Sequence, residues 1–248
     1  MSIFQDFLNY SHRPVFTSQR EPFSIRALWE LSKLLGLTFL LLPILILIMG
    51  LVLMVAGQEM PAPSEGYKKL QESKKSLFYA AVILAPLIEE VLFRSWLGFR
   101  YGILIILPCF LMGVAVFQSQ SLTEPHFIVV IVVGLMGLSA GFHFRRLWQY
   151  RENIAAQTRT INIIFPYLYW GSIALFASIH MGNFSDTKMG FLAIILVLPQ
   201  FIVGMFLSYI RMRYGLLPAI GYHAVYNGVI ISLTQMGSAA VMMGWLAL

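Results

Sequence analysis

The chain has 248 residues, 58% apolar and 11% charged, with a formal net charge of +6 and a mean hydropathy of +0.77. An ordinary globular domain is about 45–50% apolar and about 25% charged, so a water-soluble domain, a disordered tail and a coiled coil are all excluded. At roughly 20 residues per crossing, the chain suits an all-α, polytopic transmembrane helical bundle of seven or eight membrane helices.

Residues 1–33 read as a polar, mixed-charge lead-in on the cytoplasmic side, ending in a helical turn that runs into the membrane. The apolar run that follows is too long for the h-region of a signal peptide. A single transmembrane domain is expected over 34–248, with apolar segments at about 34–56, 77–99, 101–117, 127–144, 163–184, 190–210 and 214–235. The final stretch, GSAAVMMGWLAL, is too short to span alone, and either continues the seventh helix or packs as a half-helix. Prolines lie inside the segments (Pro43, Pro86, Pro108, Pro166, Pro199 and Pro218), most of them expected as kinks without function. Cys109 is the single cysteine, so no disulfide forms within the chain.

Basic residues set the orientation. With the N-terminus inside, the inner segments hold eleven Lys and Arg, among them Arg26, Arg100, Arg145, Arg211 and Arg213; the outer segments hold five, Lys68, Lys69, Lys74, Lys75 and Lys188. An integral protein of a bacterial plasma membrane with a cytoplasmic N-terminus is therefore expected. No basic face interleaves with aromatics, so no nucleic-acid partner is expected, and the expected partner is the lipid bilayer. The sequence leaves the oligomeric state open.

The chemistry-bearing residues are those that should not be in hydrocarbon, where a charge costs at least ~2.5–3.5 kcal/mol. The segment LFYAAVILAPLIEEVLFRSWLGF carries Glu89, Glu90 and Arg94; FPYLYWGSIALFASIHMGNF carries His180 and Asn183; YGLLPAIGYHAVYNGVIISLTQ carries His223 and Asn227. Glu90 and Arg94 are four apart, share a helix face and are expected to pair; His223 and Asn227 are spaced alike. Glu89 points about 100° away from Glu90, so one acid is neutralised while its neighbour keeps a tunable charge. His143, beside Arg145 and Arg146, is expected at the interface, Phe176 in packing, and Ser178 and Asn183 as interhelical contacts, with contact to a substrate the alternative for either.

The stretches EEVLFR, FASIH and HAVYN resemble the three motifs of the CAAX-processing and bacteriocin-processing (CPBP) family of intramembrane proteases, Glu-Glu-x-x-x-Arg, Phe-x-x-x-His and His-x-x-x-Asn, in order and each in an expected span. The resemblance implies a glutamic-type peptidase acting without a cofactor. By position Glu89 would be the general base that activates water, assisted by His180. His223 and Asn227 would stabilise the oxyanion, and Glu90 with Arg94 would hold the second helix in place. The implied substrate is a prenylated CAAX-type peptide, a leader peptide or a membrane-protein segment. In the family the first two motifs lie on neighbouring helices, whereas here an inserted hairpin at about 101–160 separates them. Two added crossings preserve the direction of the following helix.

Other readings have weaker support. GLSAG at 137–141 matches a nucleophile elbow but lacks the strand–turn–helix context. His-Glu-x-x-His is absent, and Glu89 with two histidines as a zinc site is a minor alternative. The aspartates Asp6 and Asp186 lie in polar segments, not as an intramembrane pair. A non-catalytic scaffold or bacteriocin-immunity protein, and a proton-coupled transporter using Glu89, stand as alternative functions.

Overall fold

The computed structural model describes residues 2–17, 19–98, 154–185 and 192–236. The apolar segments 101–117 and 127–144, His143, Cys109, GLSAG, Asp186 and the C-terminal stretch 237–248 lie outside the described residues. Those described are helical and contain no strand; one isolated antiparallel bridge joins Pro63 to Phe184.

The lead-in is more structured than its polarity suggests. Helix α1 (Ile3–His12) starts at a capping box in which the Gln5 N–H donates to Ser2 Oγ and the Ser2 N–H donates to Gln5 Oε1. It buries Ile3, Phe7 and Ser11, one stripe at four-residue spacing, and Phe7 stacks on Phe206 at 4.4 Å. Helix α2 (Ile25–Val55) begins nine residues before the apolar segment read from the sequence. Its 31 residues span roughly 46 Å at 1.5 Å each, more than the hydrocarbon core. It buries Leu31, Leu34, Thr38, Leu42, Met49 and Leu53 and exposes Leu40, Leu47, Leu51 and Met54, the pattern of a helix with one face on protein and one on lipid. The helix ends in a Schellman motif: Gly57, at φ 65°, donates to Met54 O and Gln58 donates to Leu53 O.

Helices α3 (Glu65–Gln71) and α4 (Lys74–Tyr79) lead into a wide π turn, Ala80–Leu84, then α5 (Ala85–Arg94) and a 3-10 turn, Ser95–Gly98. Helix α6 (Ile154–Ile179) closes in a 3-10 turn, His180–Asn183. The expected span 190–210 is instead broken at Val197 into α7 (Ala193–Leu196) and α8 (Leu198–Arg213). Pro199, in the first turn of α8, has no N–H to continue the ladder. Helix α9 (Leu216–Met236) follows a tight turn at Gly215, φ 110°.

Four described helices are long and apolar enough to cross a membrane, Ile25–Val55, Ser76–Gly98, Thr158–Asn183 and Leu216–Leu233, matching four of the expected segments. The broken α8 is the central post. Nearly all its side chains from Gly204 onward are buried, and it packs against α1, α2, α6 and α9.

The lead-in is tied to the end of that post. Arg213 is bound by Asp6 of α1, by Glu21 at 2.9 Å and by Glu30 of α2 at 3.4 Å; Tyr209 OH donates to Asp6 at 2.5 Å, and Tyr214 OH donates to Glu30. Partial burial and the nearby Glu30 carboxylate push the Glu21 carboxyl above its ordinary value, against the pull of Arg26.

Candidate active site

The first motif begins with the π turn. It passes directly into α5, which turns Glu90 and Arg94 inward, both fully buried, while the Glu89 side chain keeps 13% of its exposure. Arg94 Nη1 donates to Glu90 Oε1 at 2.6 Å and Nε donates to Ser208 Oγ on α8 at 3.3 Å. Its guanidinium lies 4.1 Å over the Phe176 ring, a desolvated cation–π contact. The pairing expected from the four-residue spacing is present.

The second motif sits where α6 tightens. The ring of His180 donates from Nδ1 to Phe176 O at 2.7 Å. A carbonyl can only accept, so in the neutral ring Nε2 carries the free lone pair. The turn is pinned by the loop after α2, with Ser64 N–H donating to Asn183 O at 2.8 Å and Ser185 N–H to Ala62 O at 2.7 Å. Phe176 links the motifs: its ring centroid lies 4.8 Å from that of His180 and 5.8 Å from that of His223, with Arg94 on its face. The Ser178 hydroxyl bonds Ala174 O of its own helix at 2.7 Å.

The third motif approaches from α9. His223 donates from Nδ1 to Glu90 Oε1 at 3.0 Å, and its Nε2 lies 3.8 Å from Glu89 Oε2. One turn on, Asn227 Nδ2 donates to Ala81 O in the π turn at 2.7 Å. Glu89, Glu90, Arg94 and His223 thus form one contiguous cluster. His180 joins it across Phe176 and through its electrostatic neighbours Glu89, His223 and Arg94. Asn227 is held beside it by the second helix.

Two like acids are treated differently. Glu90 Oε1 is taken by both Arg94 and His223, while Glu90 Oε2 and Glu89 Oε2 both lack a hydrogen-bond partner among the described residues; the nearest polar group to Glu89 Oε2 is His223 Nε2 at 3.8 Å. Among those residues no group of three or more His, Cys, Asp or Glu side chains gathers as a metal site.

The composition of the spans does not announce the supporting residues. Arg211, counted above as a loop charge, is 2% exposed. Its Nε donates to Arg94 O at 2.9 Å and its Nη2 to Ser95 O at 2.8 Å, capping the end of α5. Gly204, one turn before Ser208, lets Phe176 and Arg94 approach α8: a Cβ there would lie 3.1 Å from Phe176 Cδ1 and 3.4 Å from Arg94 Nη2. The sequence signal was present, since Gly204 and Ser208 make a small-x-x-x-small pair.

A family model described as type II CAAX prenyl endopeptidase Rce1-like matches residues 72–229, more than half of the chain and a stretch that contains all three motifs. No curated protein and no solved structure was found to match the chain. From its second membrane helix to the third motif, the chain belongs to the Rce1-like family of type II CAAX prenyl endopeptidases.

Proposed function

We propose that this chain is an intramembrane endopeptidase that hydrolyses a peptide bond with water activated by Glu89, oriented with its N-terminus in the cytoplasm. The observation that carries the reading is the unequal treatment of the two adjacent acids. Glu90 spends its charge on Arg94 and His223, and so holds the helix. Glu89 meets His223 Nε2 only at 3.8 Å and keeps partial side-chain exposure where Glu90 has none, as a base that must meet water requires.

In the proposed reaction a water lies between Glu89 and the lone pair of His180 Nε2. Glu89 takes one proton, the oxygen bonds to the substrate carbonyl carbon, and the carbonyl π pair moves onto its oxygen. His223 keeps its Nδ1 proton in the hydrogen bond to Glu90 Oε1, so it serves the oxyanion only as an imidazolium, which also donates from Nε2. Asn227 adds a second donor through the N–H of Nδ2 not used by Ala81. Collapse breaks the C–N bond, and the leaving amine takes the proton from Glu89. Preorganised donors of this kind are worth about 10²–10³ in kcat each. The substrate class suggested by the family description is a prenylated CAAX-type peptide, and the reaction as drawn needs no metal.

The test is cleavage of a farnesylated peptide by purified chain in liposomes. Glu89→Gln should lower kcat by about 10²-fold or more while leaving the unfolding midpoint in place. Cleavage at the wild-type rate would end the reading. Absence of cleavage by either protein would leave the scaffold and transporter alternatives to be compared by proton flux.

A further inference from the structure

The bond from Asn227 to Ala81 has a cause inside the second membrane helix. In a continuous α-helix the Ala81 carbonyl would accept from the N–H of Ala85. In the wide turn that N–H goes instead to Ala80 O, one residue further back. The next donor in the wide register would come from residue 86, five positions after Ala81, and residue 86 is proline, which has no N–H. Ala81 O therefore loses its main-chain donor in both registers. It is fully buried in a protein interior, where an unsatisfied carbonyl is costly. The carboxamide of Asn227, 1% exposed, fills the gap at 2.7 Å.

Among the described residues that carboxamide has no other anchor. Among the described residues Asn227 Oδ1 is buried with no hydrogen-bond partner, and the bond to Ala81 is the one hydrogen bond of the side chain. An unanchored amide has two orientations about its last torsion. One presents N–H to the reacting carbonyl oxygen, and the other presents Oδ1, an acceptor that would repel the developing negative charge.

We infer that Pro86 is a positioning residue for hydrolysis: by denying Ala81 O a main-chain donor, it reserves that carbonyl for Asn227 and fixes the carboxamide with its N–H toward the reaction. The inference rests on the reading of Asn227 as an oxyanion donor. It gives Pro86 a role other than a kink, and makes the π turn part of the catalytic architecture. π turns are frequent at functional sites. Here the turn supplies an acceptor at a fixed place beside His223.

The substitution that tests it is Pro86→Ala in the full chain, which returns an N–H at residue 86 for Ala81 O. We expect kcat to fall about tenfold or more with KM unchanged and with a melting midpoint no lower than wild type. Pro86→Gly, which also restores the N–H, should behave likewise in kcat and serves if the alanine variant does not fold. The kinetic cycle with Asn227→Ala is decisive: in the Asn227→Ala background, Pro86→Ala should change kcat less than twofold. A readout independent of turnover is the side-chain amide of Asn227 in protein labelled with 15N-asparagine, identified by its loss in Asn227→Ala. Its hydrogen-bonded proton should lie downfield in wild type and move upfield in Pro86→Ala. Full kcat in Pro86→Ala, losses that multiply in the double variant, or an unmoved amide signal would each overturn the inference. If Asn227→Ala itself cleaves at the wild-type rate, the oxyanion reading fails, and the positioning role falls with it. If Asn227→Ala is slow but Pro86→Ala is not, only the role of Pro86 falls.

Discussion

Removing Arg94 should destabilise the chain far more than a surface arginine would, and in a way that depends on Glu90. Both side chains are fully buried and joined at 2.6 Å. Arg94→Met keeps most of the volume but leaves the Glu90 carboxylate, among the described residues, with His223 alone as its partner. Breaking one side of a buried pair costs about 3–5 kcal/mol, because the abandoned charge stays buried. The cation–π contact with Phe176 at 4.1 Å is worth up to about 2 kcal/mol when desolvated, though the two terms share one guanidinium and do not add. Glu90→Gln strands the guanidinium in turn and should cost a similar amount. The double variant removes both charges and should recover much of the loss, giving a coupling energy on the order of 2–3 kcal/mol. Arg94→Lys keeps a cation for Glu90 but loses the Nε bond to Ser208 and the planar stack on Phe176, and should fall between. Reversible unfolding by SDS titration in mixed micelles measures all four. Losses that add within about 0.5 kcal/mol would mean that the two residues are stabilised independently, and the account of Glu90 as the structural acid would be wrong.

Gly98→Ala should destabilise by about 1–3 kcal/mol in the same assay, as overpacking does. Its Cβ would fall inside the Arg211 guanidinium, with Arg211 Cζ at 2.8 Å, and that group is held by two carbonyls and cannot swing away. Gly36→Ala, where a Cβ meets nothing, should be neutral or stabilising; equal losses at the two positions would refute the cap. At the cluster around Arg213, Glu21→Gln should be neutral or stabilising at pH 7, whereas Glu30→Gln should loosen the lead-in. A carboxyl raised in the folded state binds its proton more tightly there than in the unfolded chain, so stability rises as pH falls through the folded value. The advantage of Glu21→Gln over wild type should therefore shrink on acidification, and an advantage that grows would contradict the crowding. Peptidase activity should survive exhaustive treatment with 1,10-phenanthroline. Loss of activity that zinc restores would reinstate the metal reading of Glu89 and the histidines.

What could be read in the sequence was the cost of charge. An acid or imidazole in hydrocarbon needs a reason, and three such groups at helical spacing identified the faces that now meet at Phe176 and Glu90. The same logic explains what was not visible. Arg211 and Arg213 sit at the end of an apolar run, where basic residues normally face water. Their true partners, the carbonyls of Arg94 and Ser95 for one and the carboxylates of Asp6, Glu21 and Glu30 for the other, become apparent once distant segments are assembled. The α1 stripe of Ile3, Phe7 and Ser11 is hidden by the polar residues between. Pro86 is the sharpest case. Read along the chain it is a tolerated kink, because the sequence names the donor a proline lacks but not the carbonyl that goes hungry. Which carbonyl that is depends on the local register, which is wide here, and whether it matters depends on a carboxamide 146 positions away. Motifs report side chains, and half of this site's geometry is made by main-chain acceptors that have no letter of their own.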